Sequence, residues 1–357
     1  MMIMREFKNI EKVWFEKLQQ KYQENKLSGF NLLFHWYENF DSNLIRISKE
    51  GCSRLVSLIR QKYHIKKEFD EEAGIDDNSF YQIKKCGLLR VRTLKKILKT
   101  LGLNYNTFDK HIVSIGSRNC LLKINFPLVL ARKDASVLIG GFMSDGCNNR
   151  EHPFYANTGF LGDKIINSAQ AVCPNISWEF HHEKIRFHPI MSRILSKLGV
   201  PCGRKVVLNP ITPLFLWSNE IWSKSYLTQV FDDEGHAAEA SDRKIVLGRN
   251  VALGNLPEDF IKDLPSKEKV YFNNLSNDIK KLIVGNPPNL LVAEYFMLKR
   301  FGIKSTMRCR GITKYERWVS ADWVIEIYEK GNMKKFQEVI GFSEPSKINQ
   351  LKKYVAG

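Results

Sequence analysis

Apolar residues recur every three or four positions over the first third of the chain. "FKNIEKVWFEKLQQKYQENK" sets Ile10, Val13, Trp14 and Leu18 at helical spacing with polar residues between. That predicts a helical N-terminal segment over residues 1–50. Residues 51–104 continue in short amphipathic pieces. In "KKEFDEEAGIDDNSFYQIKKCG" the apolar positions are Phe69, Ala73, Ile75, Phe80 and Ile83, with Gly74 among them. The pattern predicts a short helix, a tight glycine turn and a second helix starting near Asp77 or Asn78, either suited to cap it. "RTLKKILKTLGL" predicts a further amphipathic helix. Residues 105–134 read as a connector with a strand in "CLLKINFPLVL". From Ala135 onward the rhythm changes. Strand-like runs ("ISWEFHHEKIRFH", "RKVVL", "WVIEIY") alternate with helical ones ("HPIMSRILSKLG", "NLLVAEYFMLKRFG"). The expected class is α+β.

One nonapeptide occurs twice in this second part. "LIGGFMSDG" runs from Leu138 to Gly146 and "LTQVFDDEG" from Leu227 to Gly235. Each ends on an acid followed by glycine, Asp145 and Glu234, 89 positions apart. The tails repeat as well: "ILSKLGV" (Ile194 to Val200) parallels "MLKRFGI" (Met297 to Ile303). Self-similarity at this spacing predicts two copies of one supersecondary unit, at residues 135–222 and 223–357. Adjacent glycines inside a helix cost about 1 kcal/mol each against alanine. Gly140 and Gly141 therefore predict either a close approach by another backbone or a segment that is not a helix.

Charge narrows the partners. With 55 Lys+Arg against 38 Asp+Glu, a formal +17, the 357-residue chain favours a polyanion. The seven cysteines show no Cys-x-x-Cys pair, which argues against a disulfide framework and a zinc finger. No apolar run approaches the roughly 18 residues of a membrane span. The start, "MMIMREFKNIEKVW", has charges where a signal peptide is apolar. The expected location is cytoplasmic, without a membrane partner. "HHEK" at His181 to Lys184 has no companion ligands at metal-site spacing and reads as strand surface. No phosphate-loop or dinucleotide fingerprint is present.

The doubled nonapeptide, with the strand–helix patterns after each copy, resembles the two-motif LAGLIDADG homing endonucleases over nearly two-thirds of the chain. The spacing of Phe69, Ala73, Gly74, Ile75 and Ile83 resembles the helix-turn-helix of phage-repressor-type regulators over about fifty residues. The resemblances imply a small all-α helix-turn-helix domain followed by two pseudo-symmetric αββαββα half-domains with antiparallel sheets. They also imply a free-standing monomer, without the terminal His-Asn of an intein, acting on double-stranded DNA. The two motif helices would pack through Gly140 and Ser144. Asp145 and Glu234 would be catalytic carboxylates holding Mg²⁺ or Mn²⁺. Asp232 and Asp233 compete with Glu234, which the resemblance favours because it directly precedes the glycine. Gln229 and Asp233 depart from the family's small residues in the second copy.

Lys330 or Lys314 would assist the attacking water. Arg186, Arg204, Arg243, Lys244, Arg249, Arg308, Arg310, Lys314 and Arg317, on expected strands, would contact DNA. Asn78, Ser79, Tyr81, Gln82 and Lys85 would enter a groove from the helix-turn-helix. The implied function is site-specific, metal-dependent double-strand cleavage. A non-cleaving DNA-binding regulator and an intron RNA maturase are the alternatives.

Overall fold

Gly74 adopts a left-handed conformation (φ 58°) and closes one helix so that the next can start, as the sequence pattern requires. In the computed structural model, which describes residues 10–24, 32–237 and 243–356, helices pack on several small antiparallel sheets, an α+β arrangement. The helices are α1 (Ile10–Glu24), α2 (Lys49–Lys62), α3 (Lys66–Ala73), α4 (Asp77–Lys84), α5 (Val91–Thr100), α6 (Lys133–Met143), α7 (Phe160–Val172), α8 (Ile190–Lys197), α9 (Lys205–Leu208), α10 (Glu220–Glu234), α11 (Glu258–Asp263), α12 (Asn277–Val284), α13 (Asn289–Arg300), α14 (Lys330–Val339) and α15 (Pro345–Ala356). Among the described residues no helix is long and apolar enough to cross a membrane.

The N-terminal part keeps the helix–turn–helix but is not all-α. Strands β1 (Leu33–Phe34), β2 (Leu44–Ile47), β3 (Leu88–Arg90), β4 (Ile112–Ser117), β5 (Cys120–Leu122) and β6 (Leu128–Val129) belong to it. Four of them form a sheet in the order β3-β2-β4-β5, and β1 pairs with β6. The first fifty residues are therefore not one helical segment, and residues 105–134 are more than a connector, since β4 lies directly against β2. These strands are two to six residues long, too short for their period to stand out. The cap of α4 is Asp76, one residue before the expected pair: its carboxylate accepts the Ser79 N–H at 2.8 Å. Phe69, Ala73, Phe80 and Ile83 are buried where the helices cross.

Helix α1 reaches the far end of the chain. The Trp14 indole donates to the Val284 carbonyl at 2.9 Å and stands edge-on to Trp323, with ring centroids 5.9 Å apart. Glu11 accepts from the Tyr295 hydroxyl (2.5 Å) and from Lys299 (2.6 Å).

Helices α6 and α10, which carry the nonapeptides, pack against each other. The adjacent glycines of α6 have separate jobs. A methyl on Gly140 would stand 2.8 Å from Gln229 Cβ and 3.0 Å from the Tyr226 carbonyl of α10. One on Gly141 would stand 2.5 Å from Ile165 Cδ1 of α7. Each glycine thus admits a different neighbouring helix. Ser144, expected on the same face, is the buried residue that caps the end of α6.

The strands after α6 are β7 (Gly146–Cys147), β8 (Phe154–Tyr155), β9 (Trp178–His181) and β10 (Lys184–Phe187), in the order β7-β8-β10-β9. Those after α10 are β11 (Gly235–Ala237), β12 (Ile245–Leu253), β13 (Lys269–Tyr271), β14 (Thr306–Lys314) and β15 (Val319–Ile327), in the order β11-β12-β15-β14-β13. "RKVVL", expected as a strand, contains the short helix α9. Local geometry repeats between the two stretches. A methyl on the closing glycine of either nonapeptide would strike the phenylalanine four residues earlier: Gly146 against Phe142 Cα at 2.7 Å, Gly235 against Phe231 Cα at 2.9 Å. The two tails also close alike. Val200 N–H donates to Leu195 O at 2.9 Å and Ile303 N–H to Leu298 O at 3.0 Å, with Gly199 and Gly302 left-handed in between.

The seam can be tested by melting. Gly140→Ala is expected to cost about 1–3 kcal/mol by overpacking and to lower Tm. Gly254→Ala, where the added methyl meets nothing within 4 Å, is expected to leave Tm unchanged. Equal melting curves for the two variants would contradict the seam.

Candidate active site

A helix ends with carbonyls that have no intrahelical partner and with the negative pole of its dipole. At the end of α6 two cations answer both. Arg249 Nη1 donates to Met143 O at 2.8 Å and Nη2 to Ser144 Oγ at 3.2 Å. Lys205 Nζ donates to Phe142 O (3.3 Å), to Gly146 O (2.8 Å) and to Ser144 O. Asp145 follows directly, and one of its oxygens accepts from the Asn157 amide. Burial, then the charge of Glu234, push the Asp145 carboxyl above its ordinary range; Asn157, Lys205 and Arg249 act in the opposite sense. Glu234, the last residue of α10, is about one-third exposed, and its Oε1 lies 3.4 Å from Arg249 Nη1. The ends of the two packed helices thus bring Asp145 and Glu234 into each other's field, with a guanidinium beside them.

Arg249, expected to contact DNA, is buried. Its strand residue pairs with Trp323 in the middle of the sheet, and its side chain lies on the helix side. It meets Glu294 of α13 through Nη2–Oε1 at 2.8 Å and Nε–Oε2 at 3.4 Å. Tyr226 of α10 donates to the same Glu294 oxygen at 2.9 Å. Burial opposes the Arg249 charge, and Glu294 and Glu234 restore it.

The second nonapeptide has three consecutive acids, and the structure separates them. Asp232 is buried and accepts from Ser343 N (2.8 Å), Glu344 N (3.2 Å), Lys164 Nζ (2.9 Å) and the Ser343 hydroxyl. It fixes the entry into α15. Asp233 accepts from the Tyr155 hydroxyl and from Gln229 Nε2 at 3.0 Å. Its pKa is pushed up to about 8, first by burial and in part by Asp145. Gln229 is fully buried and fills the space left by Gly140, so the seam joins glycine to glutamine instead of two small residues. Glu234 is the most open of the three, with Arg249 Nη1 as its donor at 3.4 Å, and Asp233 leaves its Oδ2 without a partner.

The groups that act on Asp145 are Glu234, Asn157, Lys205 and Arg249, and neither expected water-assisting lysine is among them. Lys314 is bonded to the carbonyls of Lys262 and Leu264, both at 3.2 Å, and Lys330 stands exposed at the start of α14. The lysine that acts on both Asp145 and Glu234 is Lys205, whose pKa is lowered to about 8, first by burial and then by the Arg249 charge. Reading "RKVVL" as a strand hid it. Among the described residues no group of three or more His, Cys, Asp or Glu stands together as a ready metal cage.

The expected DNA contacts also divide. Arg308 is paired with buried Glu326 (2.6 and 2.9 Å), Arg310 with Asp322 (3.0 and 3.1 Å), and Lys244 with Glu326 (3.0 Å). Arg186 lies 3.3 Å from Glu179. Arg204, Arg243 and Arg317 are exposed, and the Arg204 guanidinium sits 5.0 Å from the Trp318 ring centre. In α4, Asn78 and Tyr81 are exposed and Gln82 half-buried, and Lys85, just past its end, is exposed. Ser79 is not available to a groove: it is buried, and its hydroxyl donates to Asp76 at 2.6 Å.

No protein-family model matches the chain, and no curated protein matches its sequence.

Asp233 gives this site a pH signature. An unfolded chain releases this proton near 3.8 and the folded one near 8. The folded state therefore holds the proton more tightly, and the associated stability is complete below pH 4 and is lost as pH rises through about 8. Asp233→Asn does not titrate. Its Tm is expected to exceed that of the unaltered protein by a margin that is absent near pH 4 and grows toward pH 8. A margin independent of pH would contradict the elevated pKa.

Proposed function

We propose that the chain is a divalent-metal-dependent endonuclease of the LAGLIDADG kind that cuts double-stranded DNA as a monomer. On this reading residues 135–222 and 223–357 are two related halves about the α6–α10 seam, and the helix-turn-helix supplies a second DNA contact. The observation that carries it is the meeting of Asp145 and Glu234, each the last acid of its nonapeptide, at the ends of two helices packed through Gly140. Two carboxylates in one field repel unless a cation lies between them.

The donor chemistry fits a hard divalent ion. Mg²⁺ is commonly held by one or two carboxylates, with water and phosphate oxygens completing its shell. Asp145 and Glu234 would hold it; the Ser144 and Gly146 carbonyls are already taken by Lys205. Such an ion, when bound, polarises a phosphodiester and lowers the pKa of a coordinated water. The protein's own part is to fix the carboxylates and the charge around them. Asn157 orients Asp145, Arg249 holds Glu234, and Lys205 places a positive charge against the α6 terminus. The exposed Arg204, Arg243 and Arg317 add to a basic surface suited to phosphates.

One observation favours the non-cleaving regulator: the Arg249–Glu234 pair offsets one carboxylate without any metal. Cleavage of a randomised-site DNA library with and without Mg²⁺ separates the two. An endonuclease cuts in a metal-dependent way, and Asp145→Asn or Glu234→Gln each remove double-strand cleavage while binding holds within a few-fold. Binding without cutting, or full cutting by the double variant, would contradict the assignment.

A further inference from the structure

Helix α2 has no part in the DNA contact expected of α4, yet one of its faces is built of cations and hydroxyls. Lys49, Ser53, Ser57 and Arg60 recur at four- and three-residue spacing and line a groove whose other wall is the end of α4, with Lys84 and Lys85. Val56 and Ile83 contribute apolar surface to it. No acid lines the groove, and among the described residues none of its four cations is paired with a carboxylate. Lys84 lies 5.1 Å from the Phe80 ring centre and Lys85 4.4 Å from that of Tyr81, contacts that hold both ammonium groups.

The neighbouring helix is the reverse. α3 exposes Glu68, Glu71 and Glu72, and its lysines are answered locally, Lys66 by Asp70 (2.7 Å) and Asp77 (3.3 Å), Lys67 by Glu71 (3.7 Å). A polyanion is therefore turned away from α3 and the start of α4, and drawn to α2 and the end of α4. At about 1.5 Å per residue, the face from Lys49 to Arg60 is roughly 16 Å long. Over that length a DNA strand, with one charge per about 3.4 Å of axis, presents about four or five phosphates.

We propose that this groove seats the phosphodiester backbone of one strand of duplex DNA, with Lys49, Arg60 and Lys84 on phosphates and Ser53 and Ser57 as neutral donors between them. The inference rests on the DNA-binding part of the reading above and not on cleavage.

The test is fluorescence anisotropy of the full chain on a labelled 30-base-pair duplex of mixed sequence, in chelator, across roughly 50–200 mM salt. Each phosphate contact contributes about 0.9 to the slope of log affinity against log salt. The variant Lys49→Gln/Arg60→Gln/Lys84→Gln is expected to lower that slope by about 2–3. The charge-matched control, Lys12→Gln/Lys262→Gln/Lys334→Gln on α1, α11 and α14, is expected to leave it nearly unchanged. Lys49→Arg/Arg60→Lys/Lys84→Arg keeps the charges and is expected to keep the slope, which separates lost contacts from lost folding. Equal slope changes in the two neutralised variants would overturn the groove, as would an effect confined to an RNA hairpin used in place of the duplex. Metal-dependent cutting with an unaltered slope would overturn the groove alone. Groove-dependent binding without cutting would leave it standing and remove the endonuclease.

Discussion

Negative charge converges where α6 and α10 end, and the arrangement depends on how it is answered. Two helix C-termini, each equivalent to about half a negative charge, meet there with Asp145 and Glu234. Lys205 and Arg249 occupy the end of α6, and Lys347 Nζ reaches the end of α10, at the Phe231 and Asp232 carbonyls. Arg249 matters most because it is the one that binds several elements at once: the α6 terminus, Glu234 on α10 and Glu294 on α13. A buried ion pair gives little net stability over an apolar one, yet loss of one partner strands the other and costs roughly 3–5 kcal/mol. Arg249 and Glu294 therefore act less as glue than as a constraint on where the helices can end.

Close approach and charge placement are linked. Gly140 lets α10 come near, and the residue that fills the vacated space is Gln229. Its amide reaches Asp233, which also takes the Tyr155 hydroxyl from a strand following α6. The seam thus becomes polar as it approaches the carboxylates. Asp145 and Glu234 remain partly open at its end, while Asp232 is tied up by internal bonds and Asp233 is bonded through one oxygen only. The four acids are thus set apart from one another by their hydrogen bonds.

The parts of this arrangement that were legible in the sequence are those with a local signature. The doubled nonapeptide pointed to Asp145 and Glu234 together, and Gly74 marked the turn between α3 and α4. α8, α13 and β15 follow their apolar periods. What the sequence did not disclose depends on partners far along the chain. β2 pairs with β4 across more than sixty residues, and both are too short to carry a period. Arg249 and Arg308 look alike as letters on a strand, yet one is buried against Glu294 and the other is half-exposed against Glu326. Side-chain direction on a strand alternates, so a basic residue read without its register has no assigned face. Lys205 was missed for the same kind of reason: it sits in a short helix after a glycine, where nothing local announces that it will cap a distant helix.

The central claim is that the α6–α10 seam exists to hold two carboxylates about one divalent ion. Crystals of the protein with duplex DNA, grown with Mn²⁺ and measured at its absorption edge, test it directly. The account predicts an anomalous peak bonded to oxygens of both Asp145 and Glu234. A peak on Asp233 or elsewhere, or none at all with DNA bound and Arg249 still engaging Glu234, would contradict it.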